Sequence, residues 1–291
     1  MLSSDTKRKN KENKPSDYKQ LNFEDLPRYS TENTIVKNAK TNAKTNAKAN
    51  ENAIVKNTKK NIKDEKDKKS KAKIKKAKLG KSMKKLVDLY HSMSNYERKE
   101  WESQILLVAG LDEVGRGPLA GPVVAAACIL DPENPILGIN DSKKLTEKKR
   151  EELFIEIQNK AVCYSIVRIE HDVIDEVNIL NATKMAMVEC VRILCLKPGK
   201  LLIDAIDLKG TGIPVIAIIK GDSLSVSIAA ASILAKVTRD RIMVEFDNVY
   251  PGYGFIQNKG YGTTLHYDGI KKLGITPIHR KSFLKGWEGS F

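Results

Sequence analysis

The sequence predicts an α/β domain of about 200 residues behind a basic, low-complexity arm. Three observations predict it. From residue 105 onward, short apolar runs alternate with stretches of helical spacing. Three of those runs end in an acid. Charge and apolar content both change abruptly near residue 80.

The first 80 residues hold 23 Lys and Arg against 10 Asp and Glu, so they carry +13 of the chain's net +15. Only 11 of them are Leu, Ile, Val or Phe. That is too little apolar surface to offset the entropy lost on ordering. Glu32-Asn33-Thr34-Ile35-Val36-Lys37-Asn38 returns as Glu51-Asn52-Ala53-Ile54-Val55-Lys56-Asn57, with two Thr-Asn-Ala-Lys copies between them. Residues 1–80 therefore read as a disordered Lys/Asn-rich arm. It is either a solvated extension or a weak, salt-sensitive nucleic-acid tether. No run approaches the roughly 18 apolar residues of a membrane span. Met1 to Asn10 has no apolar core and is not a secretory signal. Cys128, Cys163, Cys190 and Cys195 form no Cys-x-x-Cys and sit among apolar residues. Reduced, buried thiols and a cytoplasmic protein are expected.

Residues 81–104 read as a helical lead-in. Leu86, Leu89, Tyr90 and Met93 follow helical spacing, and Ser94-x-x-Glu97 reads as a capping box starting a second helix through Trp101. The domain proper is expected over 105–291. Ile105 to Leu111 and Pro122 to Leu130 are apolar enough for buried strands. Thr146 to Gln158 reads as a helix with Leu153, Phe154 and Ile157 on one side, and Ala161 to Ile169 as a strand. Asn178 to Leu196 reads as a helix stopped by Pro198 and Gly199. Leu201 to Ile203 and Val215 to Ile219 are short strands. Ser225 to Phe246 is a long helix whose small residues Ala229, Ala230, Ala231, Ser232 and Ala235 let it lie close on a sheet.

Acids follow the apolar runs: Asp112 and Glu113 after the first, Asp204 after Ile203, and Asp222 shortly after Ile219. In an α/β sheet, strand ends converge on one rim, where sites are built. Converging carboxylates repel one another unless a cation is present. Oxygen ligands without His or Cys favour Mg²⁺ or Mn²⁺ over Zn²⁺, and two such ions about 3.5–4 Å apart suit phosphodiester hydrolysis. Taken singly, each acid has a plainer role: Asp222 as a helix cap, Asp204 as a turn former, Asp112 and Glu113 as a solvated strand end. Neighbouring strand residues point to opposite faces, so a shared cluster requires the chain to leave regular strand between Asp112 and Glu113. Gly115-Arg116-Gly117-Pro118 reads as a tight turn whose amides and Arg suit a phosphate or sugar.

These residues carry a resemblance. Asp112-Glu113-Val114-Gly115-Arg116-Gly117-Pro118-Leu119-Ala120-Gly121-Pro122 resembles the opening motif of ribonuclease HII. The likeness continues in order through Asp141-Ser142-Lys143-Lys144-Leu145, Leu202-Ile203-Asp204-Ala205 and Lys220-Gly221-Asp222-Ser223. It runs on through Ser227 to Asp240, Tyr250 to Phe255, Lys259-Gly260-Tyr261-Gly262-Thr263 with His266, and His279-Arg280 with Phe283. It covers about residues 105–285. The sister group, ribonuclease HIII, lacks the Gly-Arg-Gly-Pro-Leu-Ala-Gly-Pro pattern and carries a folded N-terminal domain that residues 1–80 do not resemble. The long basic arm departs from the compact family pattern.

The resemblance implies a ribonuclease H-like fold with a mixed central sheet flanked by helices. It implies an endonuclease that hydrolyses RNA paired with DNA and cuts 5′ of single ribonucleotides in duplex DNA, leaving 3′-hydroxyl and 5′-phosphate ends. Two ions, Mn²⁺ or Mg²⁺, are implied, held by Asp112, Glu113, Asp204 and Asp222. The third acid is Asp204 rather than the nearby Asp207, because Asp204 directly follows the strand. Gly115, Arg116, Gly117 and Tyr261 are implied to read the RNA-to-DNA junction through the 2′-hydroxyl, the group that separates the two sugars. Lys143 and Lys144 read either as phosphate contacts or as a solvated helix start. Asp240 and Arg241 read as structural partners on a helix surface, His266 as a support of the site, and His279 as structural. A monomer is expected. A sliding clamp is a family partner, but no clamp-binding motif stands out over 285–291. Two other readings compete: a non-catalytic nucleic-acid binder acting through the arm, and a different two-metal nuclease on the same fold.

Overall fold

In the computed structural model of the chain, the first apolar run becomes a strand that continues through the acids instead of stopping before them. The structure describes residues 80–286 and the backbone of 34–37. The rest of the expected arm, and residues 287–291, lie outside the described residues.

The elements follow the apolar periodicity. A helix, α1, spans 80–93, and α2 spans Asn95–Glu102. Then come β2, Val108–Val114, β3, Val123–Ile129, α3, Glu147–Lys160, and β4, Cys163–Ile169. A short α4, His171–Val177, leads into α5, Ile179–Ile193. Two short strands follow, β5, Lys200–Asp204, and β6, Val215–Ile218. A 3₁₀ turn, Gly221–Ser223, precedes the long α6, Val226–Val249. The chain closes with α7, Phe255–Asn258, and α8, Thr264–Leu273. Caps set several boundaries. Thr146 accepts from Lys149 N, Asn178 from Asn181 N, and Ser225 from Ile228 N, each satisfying an orphan donor of a first turn. The capping box expected at Ser94 is not formed: Ser94 makes no side-chain cap. Glu97 instead turns away from its own helix into the interior.

With the strand Thr34–Lys37, β1, the sheet has the order β1-β4-β3-β2-β5-β6. The pairs β2–β3, β3–β4 and β1–β4 are antiparallel, while β2–β5 and β5–β6 are parallel. The first copy of the Ile-Val-Lys-Asn repeat thus adds an edge strand, from Thr34 opposite Val167 to Lys37 opposite Tyr164. Within 1–79, these four residues are the part whose backbone the structure describes. β-Branched residues suit a strand, and the free edge of β4 offers unpaired backbone groups.

Strand β3 is buried on both faces, as expected where helices cover each side. Val124, Ala126 and Cys128 face α6, α3 and Tyr90 and Met93 of α1. Ala125, Ala127 and Ile129 face α5. Fully burying a Leu or Ile in such layers contributes roughly 1.5–3 kcal/mol. The small-residue face of α6 lets it approach the sheet until its backbone meets β2. A β-carbon at Gly110 would stand 2.0 Å from the Ser227 carbonyl carbon, so only glycine fits there. A third cluster, with Leu119, Met243, Tyr253, Phe255 and Ile270, seats α7 and α8 beside the sheet. Cys163 and Cys195 lie side by side, with Cα atoms 6.2 Å apart and the Cys195 backbone N–H donating to Cys163 Sγ at 2.9 Å, because the turn after α5 returns the chain over β4. Cys128 and Cys190 are free and buried.

Candidate active site

The parallel pairing of β2 with β5 aligns Leu111 with Ile203. The next residue on each strand is an acid, so Asp112 and Asp204 are neighbours on one rim. β6 pairs in turn with β5, Asp204 opposite Ile218, and the following turn brings in Asp222. The Gly221 backbone N–H donates to Asp204 Oδ1 at 2.8 Å, tying that turn to the neighbouring acid. Lys220 and Ala205, both non-glycine residues, take left-handed conformations with φ of 59° and 51°. Strained backbone of this kind gathers at functional sites.

The chain does not leave the strand between Asp112 and Glu113, contrary to the expectation. Both keep register with β3, opposite Ala126 and Ala125. Their shared neighbour is Asp204 at the end of the adjacent strand. Asp112 lies under α6, where burial, reinforced by the Glu113 charge, holds its carboxyl well above the usual range against a hydrogen bond from Ser232. Burial also raises Glu113, opposed by Arg116, whose Nη1 is 3.3 Å from Glu113 Oε1. Asp204 is raised by burial and by Asp222, opposed by the Gly221 amide. The acids thus resist ionising together, as carboxylates do where a cation is absent.

Among the described residues, no three His, Cys, Asp or Glu side chains already close around one point. The acids are turned to other partners, and Asp222 Oδ2 faces Lys143 Nζ at 3.2 Å. The donor set nonetheless fits a hard divalent cation. It is all oxygen, its charges repel, and Glu113 Oε2 is buried with no hydrogen-bond partner.

Beside the acids lies the turn of Gly115, Arg116 and Gly117, held from below by two buried guanidinium groups. Gly115 has φ +93°, and a β-carbon there would stand 2.2 Å from Arg239 Nε. Arg239 donates to the carbonyls of Pro122 (2.9 Å), Lys259 (2.8 Å) and Ala120 (3.2 Å). Arg280 donates to those of Gly115 (2.6 Å), Arg116 (3.0 Å) and Gly121 (2.8 Å). Burial pulls Arg239 down to about 10 and Arg280 to about 9, so both stay charged at neutral pH. The half-exposed Tyr261 stands over the turn, its Cε1 3.4 Å from where a Gly117 β-carbon would sit. The Tyr261 carbonyl is bonded to His266 Nδ1 at 3.0 Å, and His266 Nε2 meets His279 Nε2.

The two candidate lysines separate. Lys143 reaches Asp222, while Lys144 turns to Asp141 at 3.6 Å. Asp240 and Arg241 are not partners of each other. Asp240 pairs with Lys236, and Arg241 pairs with Glu151 and lies over the Phe154 ring. Asp207 is exposed and faces Lys209, apart from the turn that binds Asp204. The buried contacts of Arg239 beneath the turn and of Ser232 with Asp112 were not legible in the sequence. A serine and an arginine within a helical pattern give no local sign of a buried polar contact.

Comparison with known proteins gives the family. A family model described as Ribonuclease HII matches residues 109–285. A ribonuclease HII of Clostridioides difficile (strain 630) is 55% identical over 190 residues, covering 65% of this chain and 74% of that one. One of Ruminiclostridium cellulolyticum is 55% identical over 195 residues, covering 67% and 76%. Among solved structures, ribonuclease H2 from Pyrococcus horikoshii OT3 is 31% identical with a TM-score of 0.52, covering 62% of this chain and 94% of that one. The PCNA:RNase HII complex from Archaeoglobus fulgidus contains a chain 28% identical with a TM-score of 0.54, covering 62% and 95%. With a family model matching most of the domain and relatives more than half identical over it, the chain belongs to the ribonuclease HII family, metal-dependent endoribonucleases of ribonuclease H-like fold that degrade RNA in RNA–DNA hybrids.

Proposed function

We propose that this chain cuts RNA paired with DNA and also cuts 5′ of single ribonucleotides embedded in duplex DNA, leaving 3′-hydroxyl and 5′-phosphate ends. The observation that carries the reading is one rim holding Asp112, Glu113, Asp204 and Asp222 beside the turn over which Tyr261 stands. The four acids would hold two divalent ions, Mn²⁺ or Mg²⁺. What such ions supply, when bound, is activation of water and stabilisation of charge on the phosphate oxygens.

The chain's own residues bind and orient. The amides of Gly115 and Gly117 and the Arg116 side chain face the sugar and phosphate, where the 2′-hydroxyl separates a ribonucleotide from its deoxy neighbours. The Tyr261 ring stacks on the adjoining sugar. Lys143 flanks the phosphates, and its withdrawal from Asp222 frees that acid for a cation, whereas Lys144 stays with Asp141. Catalysis is then positioning and charge stabilisation. The chain acts as a monomer in the cytoplasm, with residues 1–80 adding a salt-sensitive tether. The Archaeoglobus relative was solved with PCNA. Gel filtration of this chain with a sliding clamp tests whether such a partner extends here.

The decisive experiment is cleavage of a labelled DNA duplex containing one ribonucleotide, with Mg²⁺, with Mn²⁺ and with chelator. An all-DNA duplex and Asp112→Asn serve as controls. Metal-dependent cutting 5′ of the ribonucleotide, absent in both controls, is expected. A folded protein that cuts a long RNA–DNA hybrid but not this duplex would reject the embedded-ribonucleotide reading.

A further inference from the structure

A fully buried glutamate lies outside the residues matched by the family model, which begins at residue 109. Glu97, on α2, is 0% exposed. Its Oε1 accepts a short hydrogen bond from the Ser225 hydroxyl at 2.5 Å and another from the Ser227 backbone N–H at 2.9 Å. Ser225 is the N-cap of α6, and its own oxygen accepts from Ile228 N at 3.1 Å. Glu97 and Ser225 together therefore satisfy two orphan donors in the first turn of a 24-residue helix. A carboxylate at that end is also favoured by the helix dipole.

The contact continues toward the acid rim. The Ser225 backbone N–H donates to the Gly221 carbonyl at 2.9 Å. The Gly221 N–H donates to Asp204 Oδ1 at 2.8 Å, and Gly221 immediately precedes Asp222. An unbroken run of hydrogen bonds thus leads from α2 through the helix cap to one acid and to the turn that carries another. Nothing else assigned to the site explains why a carboxylate is buried here. Its cost is evident, because Glu97 Oε2 is buried without a hydrogen-bond partner.

We infer that Glu97 is a positioning residue: through Ser225 and Gly221 it sets the placement of Asp204 and Asp222 for divalent-cation binding. The inference rests on the reading of those two acids as metal ligands. Outer partners that orient ligands are worth about 10–100-fold in metal affinity. The lead-in helices are then part of the catalytic unit rather than a spacer before it.

The test is Mn²⁺ binding to the full chain by calorimetry, without substrate, together with the Mn²⁺ dependence of hybrid cleavage. Glu97→Leu removes the acceptor with little loss of volume, while Glu97→Gln keeps an oxygen for Ser225 and Ser227. Glu97→Leu is expected to weaken Mn²⁺ binding about 10-fold and to recover most of its rate at saturating Mn²⁺. Glu97→Gln is expected to stay within about 3-fold of wild type. Should Glu97→Leu not fold, Ser225→Ala interrupts the same run one step later and is expected to shift Mn²⁺ binding in the same direction. Wild-type Mn²⁺ affinity in a folded Glu97→Leu or Ser225→Ala chain overturns the inference. So does a lower rate with unchanged Mn²⁺ dependence, which marks a purely structural role. Asp204→Asn separates the two levels. If it too binds Mn²⁺ as wild type, the ligand reading itself fails, whereas if it alone loses binding, only the role of Glu97 fails.

Discussion

The Nε2 atoms of His266 and His279 stand 3.0 Å apart, and the groups around them assign the proton between them. The Thr276 backbone N–H donates to His279 Nδ1 at 2.9 Å, so His279 carries its proton on Nε2. That proton is donated to His266 Nε2, which leaves His266 Nδ1–H to donate to the Tyr261 carbonyl at 3.0 Å. The two neutral rings link the segment before His279 to the backbone of the tyrosine that stands over the Gly115-Arg116-Gly117 turn. A further proton on either ring breaks this run.

An acid-labile contribution to stability follows. Burial, reinforced by His266, pulls His279 down to about 4, below the usual value of about 6.5. A base with a depressed pKa contributes stability that is present above about pH 6.5 and lost as pH falls toward 4. Urea unfolding at pH 7, 5.5 and 4.5 is expected to show a loss on the order of 2–3 kcal/mol. His279→Gln, which cannot titrate, is expected to flatten that slope. An unchanged slope in this variant would assign the acid sensitivity to other groups.

Asp112→Asn separates stability from activity. Burial, reinforced by the Glu113 and Asp204 charges, holds the Asp112 carboxyl well above the usual carboxylate range. Removing the charge is therefore expected to stabilise the metal-free protein by about 1–2 kcal/mol. Cleavage of the hybrid is expected to fall by at least about 100-fold. Thermal melts with chelator and single-turnover cleavage measure the two effects. A destabilised variant that still cuts would contradict both.

Arg280→Met tests the support under the turn. Carbonyls of Gly115, Arg116 and Gly121 would lose their buried donor. At about 1–3 kcal/mol for each unsatisfied group, a cost of at least about 3 kcal/mol is expected. Arg280→Lys is expected to restore only part of this, because an ammonium lacks the planar fork. Denaturant titration of the three proteins gives the comparison, and near-wild-type stability of Arg280→Met would show that the turn holds its shape unaided.

Lys143 and Lys144 are adjacent in sequence but expected to be unequal in function. Lys143 reaches into the acid rim, whereas Lys144 pairs with Asp141 on the surface. Lys143→Ala is expected to raise KM for the hybrid and to reduce the slope of log KM against log salt by roughly 0.7–0.9, the loss of one phosphate contact. Lys144→Ala is expected to change KM by less than about 2-fold, since exposed ion pairs contribute little. Equal effects would remove the distinction.

The elements were largely legible because each is encoded locally. Apolar runs located β3, β4, β5 and β6 within a few residues. Thr146, Asn178 and Ser225 cap the helices that were expected to begin with them. Failures arose where a local pattern had a distant partner. Ser94-x-x-Glu97 has the spacing of a capping box, yet Glu97 bonds Ser227, 130 residues away. The strand was expected to end before Asp112, but pairing with β3 carries it to Val114. Thr34 to Lys37 lies in a segment too polar to fold alone, and its backbone pairs with the otherwise open edge of β4.

Composition, periodicity and motif order were enough to establish an α/β chain with acids at successive strand ends and a glycine turn after the first pair. Folding determined which charges face one another and which are buried. Arg239 and Arg280 reach carbonyls 117 and 165 residues away, and Lys143 meets an acid 79 residues away. Hydrophobic patterning records which face of an element is buried, because burial depends on period. It does not record the partner of a buried polar group, because that partner is chosen by the packing of segments remote in sequence and enforced by the cost of leaving the group unsatisfied.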